Sequence, residues 1–96
     1  MISREDFVFT IGFDGAVAVV DGRAKKEFGK LNTMQLAEKG LYRAAFSSAL
    51  YSGDAADMAK FIDYFNGKAG TKYTEAAQLS RLFGVYIEEI TRVAVL

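Results

Sequence analysis

The 96-residue chain contains neither cysteine nor histidine. Without cysteine it has no disulfides and no thiol chemistry, so cysteine usage says nothing about the compartment. Without histidine it lacks the usual general base at neutral pH, the usual metal ligand and every Ser-His arrangement. We therefore predict a protein that is not an enzyme and that carries no cofactor and no metal site.

A net charge and long apolar runs are missing as well. Lysine plus arginine and aspartate plus glutamate each number 12, so nothing draws the chain as a whole to nucleic acid or to an anionic membrane. No run approaches the roughly 20 apolar residues that span a bilayer, and the charged start MISREDFVFT is unlike a signal peptide. We expect a cytoplasmic protein with no membrane partner, folded as one small globular domain over residues 1–96.

The stretch from Phe7 to Asp21 predicts a β-hairpin. Two β-prone runs flank Asp14-Gly15, and Asp-Gly between such runs favours a two-residue type I′ turn, which pairs Phe13 with Ala16. One face of this hairpin can pack on helices. The other face also carries apolar side chains and needs cover from a further strand, a C-terminal segment or a second copy of the chain. We take four of its residues as the candidate interaction surface: Val8, Thr10, Val17 and Val19.

Residues 32–52 predict a central helix that is apolar on nearly every side. Asn32 as the N-cap and Gln35 three residues later fit a capping box, in which each side chain binds the other residue's backbone. Gly40 falls inside this predicted helix, where glycine costs about 1 kcal/mol relative to alanine. We expect close packing of a neighbouring element at Gly40 to compensate.

Two further helices follow, and the C-terminal segment stays ambiguous. Asp54 is a good N-cap for a helix to Asn66, and Thr74 is the predicted N-cap of a short helix, Glu75 to Phe83, that Gly84 ends. The fold predicted is α+β, with an N-terminal hairpin and then three to four helices around the central helix. Residues 86–96 form either a helix or a third strand, because β-branched residues are frequent there although several apolar positions fit a helical face.

The segment 74–94 has apolar, small and turn-glycine positions at Leu79, Ser80, Gly84, Val85, Ile90 and Val93. With these spacings it resembles a helix-turn-helix, and in particular the repressors of the lac family. The resemblance implies a small DNA-binding regulator in which Ile87, Glu88 and Arg92 face the major groove. This sequence departs from the motif at Tyr86, where a serine or threonine normally caps the recognition helix, and its acidic pair 88–89 would lie among phosphates. The departures favour a packed helical hairpin without DNA.

Three classes of function follow from these patterns. The surplus of apolar surface predicts a non-catalytic module for protein–protein interaction or oligomerisation, with a second copy of the chain or another protein as partner. The alternative is the DNA-binding regulator. An enzyme is the third class, but no pair of ionisable residues has a spacing that favours acid–base catalysis. Tyr42 and Arg43 beside Ser47 are compatible with a small-molecule pocket, although any packed helix offers such a pattern.

Overall fold

A computed structural model describes residues 2–87 and 90–96 of the chain. The fold is α+β, as predicted, with a hairpin near the N-terminus, six helices in the described residues and a strand near the C-terminus. In chain order the elements are α1 (Arg4–Val8), β1 (Thr10–Asp14), β2 (Val17–Val20), α2 (Gly22–Phe28), α3 (Thr33–Glu38), α4 (Tyr42–Ser52), α5 (Ala55–Ala69), α6 (Ala76–Phe83) and β3 (Arg92–Val95).

The three strands form one sheet in the order β1-β2-β3. Strands β1 and β2 are antiparallel, whereas β2 and β3 are parallel. Parallel neighbours need a long crossover connection, and helices α2 to α6 supply it. The alternative left open for the C-terminal segment is thus decided in favour of a third strand, at Arg92–Val95.

The hairpin turn lies one residue later than predicted. Its central residues are Gly15 and Ala16, so that Asp14 pairs with Val17 and Phe13 pairs with Ala18 rather than with Ala16. Gly15 has a φ of 60°, and among the described residues no residue other than glycine has a positive φ. A two-residue turn with positive φ at its first central position alone is of type II′, which favours glycine at that position. In this register Asp14 belongs to the strand and does not adopt a left-handed conformation.

The first strand also begins later than predicted, because a short helix precedes it. The Ser3 hydroxyl accepts a hydrogen bond from Asp6 N at 3.2 Å and so caps α1, which takes Val8 out of the strand. The register between β1 and β2 shifts between Thr10 and Gly12, which makes Ile11 a bulge residue. A bulge residue is unpaired in the ladder, and its carbonyl is available to another element.

The predicted central helix is two helices, α3 and α4, separated at Gly40. Gly40 has a φ of 78°, its N–H donates to Ala37 O, and Leu41 N–H donates to Leu36 O at 3.1 Å. These two bonds form a Schellman motif, which satisfies the last carbonyls of α3 and needs a left-handed residue. A Cβ at Gly40 would meet nothing within 4 Å, so the expectation of close packing there is wrong. The capping box of Asn32 with its partner three residues later is confirmed.

The two later helices follow most of their predicted signals. The Asp54 carboxylate accepts from the N–H groups of Ala56 and Asp57, as an N-cap should, and α5 runs three residues beyond the predicted end at Asn66. Helix α6 ends at Gly84 as predicted, but its N-cap is Glu75 rather than Thr74. None of the helices in the described ranges is long and apolar enough to cross a membrane.

Aromatic side chains from four helices fill the core. Phe7, Phe46 and Phe61 are fully buried. The Phe46 ring lies 6.0 Å from the ring of Phe61 and 5.5 Å from that of Phe83, so α4, α5 and α6 meet at this residue. Full burial of such a side chain stabilises a fold by about 1.5–3 kcal/mol, and offset aromatic pairs add to this.

The break at Gly40 makes a testable prediction about two glycines. Gly40→Ala should lower the free energy of unfolding by about 1 kcal/mol, because alanine is strained at positive φ. Gly67→Ala, inside α5 with open space at the Cβ, should raise it by about 0.5–1 kcal/mol. Urea denaturation of both variants measures the two changes. A continuous helix over residues 32–52 would instead make both substitutions stabilising.

Candidate functional site

The structure separates the four residues predicted as an interaction surface. Val8 lies in α1 within the core, and Thr10 is also buried, with its hydroxyl donating to Asp6 O at 2.8 Å. Neither residue is available to a partner, so that part of the prediction is wrong. Val17 and Val19 alternate with buried residues along β2 and are half-buried on the other face of the sheet.

The pairing of β2 with β3 places Val17 and Val19 on one face with Arg92 and Ala94. The opposite face of β2 carries Ala18 and Val20, which are fully buried under the helices. Side chains of paired residues point to the same side of a sheet. It follows that the half-buried face continues onto the C-terminal strand.

The largest exposed apolar surface along a strand lies on β3 and the residue after it. All four residues of β3 are exposed. Val93 is 36% exposed, Val95 54% and Leu96 77%, although Val93 and Val95 point to the same side as the buried residues of β2. The helices therefore cover the inner face of the hairpin, whereas the same face of the third strand stays exposed.

The backbone of β3 also has a free edge. In the sheet order β1-β2-β3 the third strand is an outer one, and on its inner side Leu96 N–H donates to Val20 O at 2.9 Å. Successive residues of a strand direct their N–H groups to opposite sides. The N–H groups of Val93 and Val95 consequently point away from β2, and no bond to another described element occupies them. An unpaired apolar edge of this kind is a template for another strand.

The helix-turn-helix expected at 74–94 lacks its second helix in the described residues. Its first helix exists as α6, and Gly84 ends it. The described residues from Val85 onward form no helix, and Arg92 lies in β3. Ile87 lies in an irregular segment, and Glu88 falls outside the described residues. The expectation of a recognition helix carrying Arg92 is therefore wrong, because the β-branched run pairs with β2.

A chain of polar contacts ties four helical elements together beneath the surface. Arg4 donates to Ser48 Oγ at 3.0 Å and to the carbonyls of Gly29 and Leu31. Ser48 Oγ lies 2.8 Å from Thr33 Oγ1, which in turn lies 2.7 Å from Asp57 Oδ2. The bonds run in one direction, from the guanidinium to the carboxylate, because an ionised carboxylate only accepts.

The direction of these bonds assigns a structural role to Ser48. Its hydroxyl accepts from Arg4, and it donates to Thr33 because the single Thr33 proton is used on Asp57. Within the described part of the chain no general base accepts the Ser48 proton, so these contacts do not activate Ser48 as a nucleophile. The neighbouring Ser47 is also buried, but its hydroxyl has no hydrogen-bond partner among the described groups.

The sequence indicated that β3 could be a strand, but it did not exclude a helix there. The run RVAVL has high strand propensity, but five residues are too few for alternation to distinguish a strand from a short helical segment. The free donors of Val93 and Val95 follow from the pairing with β2, which local sequence does not specify.

Comparison of the chain with known protein families, with curated proteins and with solved structures gives no match.

The polar chain predicts different roles for two adjacent serines. Ser48→Ala should lower the free energy of unfolding by about 1–2 kcal/mol, because Arg4 and Thr33 each lose a partner in a buried position. Ser47→Ala is the matched control and should leave stability unchanged or raise it, since it removes an unsatisfied buried hydroxyl. Chemical denaturation compares the two. Equal losses from both substitutions would contradict the assigned network.

Proposed function

We propose that this protein is a non-catalytic interaction module that extends its sheet through the outer edge of β3. The first partner we propose is a second copy of the chain. The observation that carries the proposal is the coincidence, on one short strand, of outward N–H groups and exposed apolar side chains.

The edge of β3 offers both backbone hydrogen-bond donors and apolar side chains to a partner. Backbone bonds from Val93 and Val95 to an added strand provide register, but each net hydrogen bond contributes only about 0.5–1.5 kcal/mol. The apolar side chains of Val95 and Leu96 supply the surface whose burial adds affinity. An edge that offers only one of these components would make a weak interface, so their combination supports the proposal.

The charge balance supports self-association. With 12 basic and 12 acidic residues the chain has no net charge, and two copies therefore meet without net repulsion. A two-fold axis perpendicular to the sheet would place β3 antiparallel to β3 of the other copy, so that the same groups serve on both sides. The result would be a continuous six-stranded sheet.

Two parts of the proposal rest on the sequence alone. The absence of histidine and cysteine supports a non-catalytic role, since these residues supply most general bases and nucleophiles at neutral pH. We also propose a cytoplasmic location, which is supported by the absence of any run near the roughly 20 apolar residues that span a bilayer. A protein other than the chain itself is the alternative partner for the same edge.

Light scattering of the purified protein at micromolar concentration tests the proposal. We expect a mass twice the 10.5 kDa of the chain. Val95→Lys, which puts a charge on the edge, and Val93→Pro, which removes an outward donor, should both shift the protein to the monomer. Leu82→Lys is the matched control: Leu82 is 50% exposed, close to the 54% of Val95, but lies on α6. This control should remain dimeric.

Hydrogen exchange locates the interface independently of the variants. In the dimer the amides of Val93 and Val95 should exchange slowly, and on dilution to the monomer they should become fast. The inner amide of Leu96, which donates to Val20 O, should be protected to the same degree in both forms. A monomer at all concentrations, or a dimer in which these outer amides exchange freely, would overturn the proposal that β3 pairs with itself.

A further inference from the structure

A second candidate site lies on the other side of the hairpin, in a cavity of about 460 Å³. The α1–β1 junction, α2, the turn between α3 and α4, and the end of α6 surround it. Its walls are mainly apolar and include Phe9, Ile11, Phe28, Leu41, Tyr42 and Phe83. The volume falls within the range of about 300–1,000 Å³ that small-molecule pockets occupy.

One cation, Arg43, lies in this apolar wall. Its Nη1 donates to the carbonyl of Ile11 at 2.6 Å, where the bulge in β1 leaves that carbonyl without a ladder partner. Its Nε is buried and has no acceptor among the described groups. The Ile11 bond thus holds the guanidinium in place. Because Nε is occluded, Nη2 is the donor left for an acceptor in the cavity.

The charge of Arg43 is not neutralised within the described part of the chain. Neither of the ion pairs found there, Arg4 with Glu5 and Lys25 with Asp6, involves it. Burial lowers the pKa of the Arg43 guanidinium, because desolvation disfavours the charged form. An arginine nevertheless stays charged at neutral pH. Arg43 is partly buried, and a charge in an apolar wall is stabilised by a counter-ion, but none of the described groups supplies one.

The carboxylate of Asp21 also lines the cavity but does not supply that counter-ion. Its Oδ1 accepts from the N–H groups of Arg23 and Ala24 and caps α2. It lies outside ion-pair distance of Arg43 and adds a negative charge to the lining of the cavity. An anionic ligand is attracted by Arg43 and repelled by Asp21, so its charged group is directed to Arg43.

We propose that this cavity binds a small carboxylic acid with an apolar body, whose carboxylate pairs with Arg43 and whose hydrocarbon part lies against the aromatic wall. A carboxylate that accepts from Nη2 would form a charge-assisted hydrogen bond, which is stronger than one to a neutral acceptor. The apolar wall accounts for the hydrocarbon part, since its burial is the main source of affinity in such pockets.

NMR titration of the ¹⁵N-labelled chain with decanoate and with decan-1-ol, both below their aggregation concentrations, tests the proposal. The two probes share an apolar chain and differ in charge. We expect decanoate to shift amide signals of residues 8–11 and 40–44 saturably and to bind at least about tenfold more tightly than the alcohol, as a charge-assisted hydrogen bond implies. Equal affinities for the two probes, or shifts confined to residues 92–96, would overturn it.

Substitutions assign the selectivity to Arg43. Arg43→Met should weaken decanoate binding about tenfold or more and leave decan-1-ol binding unchanged, whereas Arg81→Met, at an exposed position on α6, should affect neither. Unchanged decanoate affinity in Arg43→Met would contradict the proposal. If this variant does not fold, the ratio of the two affinities in the unmodified chain still decides. If dilution of the free protein moves the same signals, the occupant is a second copy and the proposal fails.

Discussion

Packing around α4 is the constraint on which the rest of this structure depends. A run of five consecutive residues in this helix is buried: Ala45, Phe46, Ser47, Ser48 and Ala49. Four of them are small, so neighbouring helices approach the α4 backbone closely, while Phe46 fills the centre between α5 and α6. Because protein interiors are close-packed, such an arrangement admits only a few positions for the surrounding helices.

The same packing explains why the sheet is covered unevenly. The helices bury the inner face of β2 and the start of β1, and the polar chain from Arg4 to Asp57 joins α1, α3, α4 and α5 on the side of α4 that carries Ser48. Among the described helices α2 approaches β3, where Gly22 lies beside Val95 and Leu96, but all four residues of β3 stay exposed. Because the helices bury β2 but leave β3 exposed, apolar side chains and a free backbone edge coincide on β3. This coincidence is the physical basis of the proposed interface.

The two proposed sites use different chemistry. At the β3 edge the backbone would provide the specific contacts and apolar side chains would provide the affinity. In the cavity the charge of Arg43 would select the ligand, and the carbonyl at the Ile11 bulge holds the guanidinium. The bulge in β1 therefore also connects the first strand with α4, through the bond between Ile11 and Arg43, and forms part of the cavity wall.

Local signals in the sequence determined the α+β class, the hairpin, the caps at Asn32 and Asp54 and the end of α6 at Gly84, because each depends on contacts between residues close in the chain. The same signals misplaced the hairpin register by locating the turn at Asp14-Gly15, and they did not show that Gly40 ends a helix. Only the tertiary structure decided that RVAVL is a strand, that Val8 and Thr10 are buried, and that Arg43 lies in an apolar cavity. Each of these outcomes depends on partners distant in the chain, such as β2 for β3 and Ile11 for Arg43, and local sequence does not encode which partner is present.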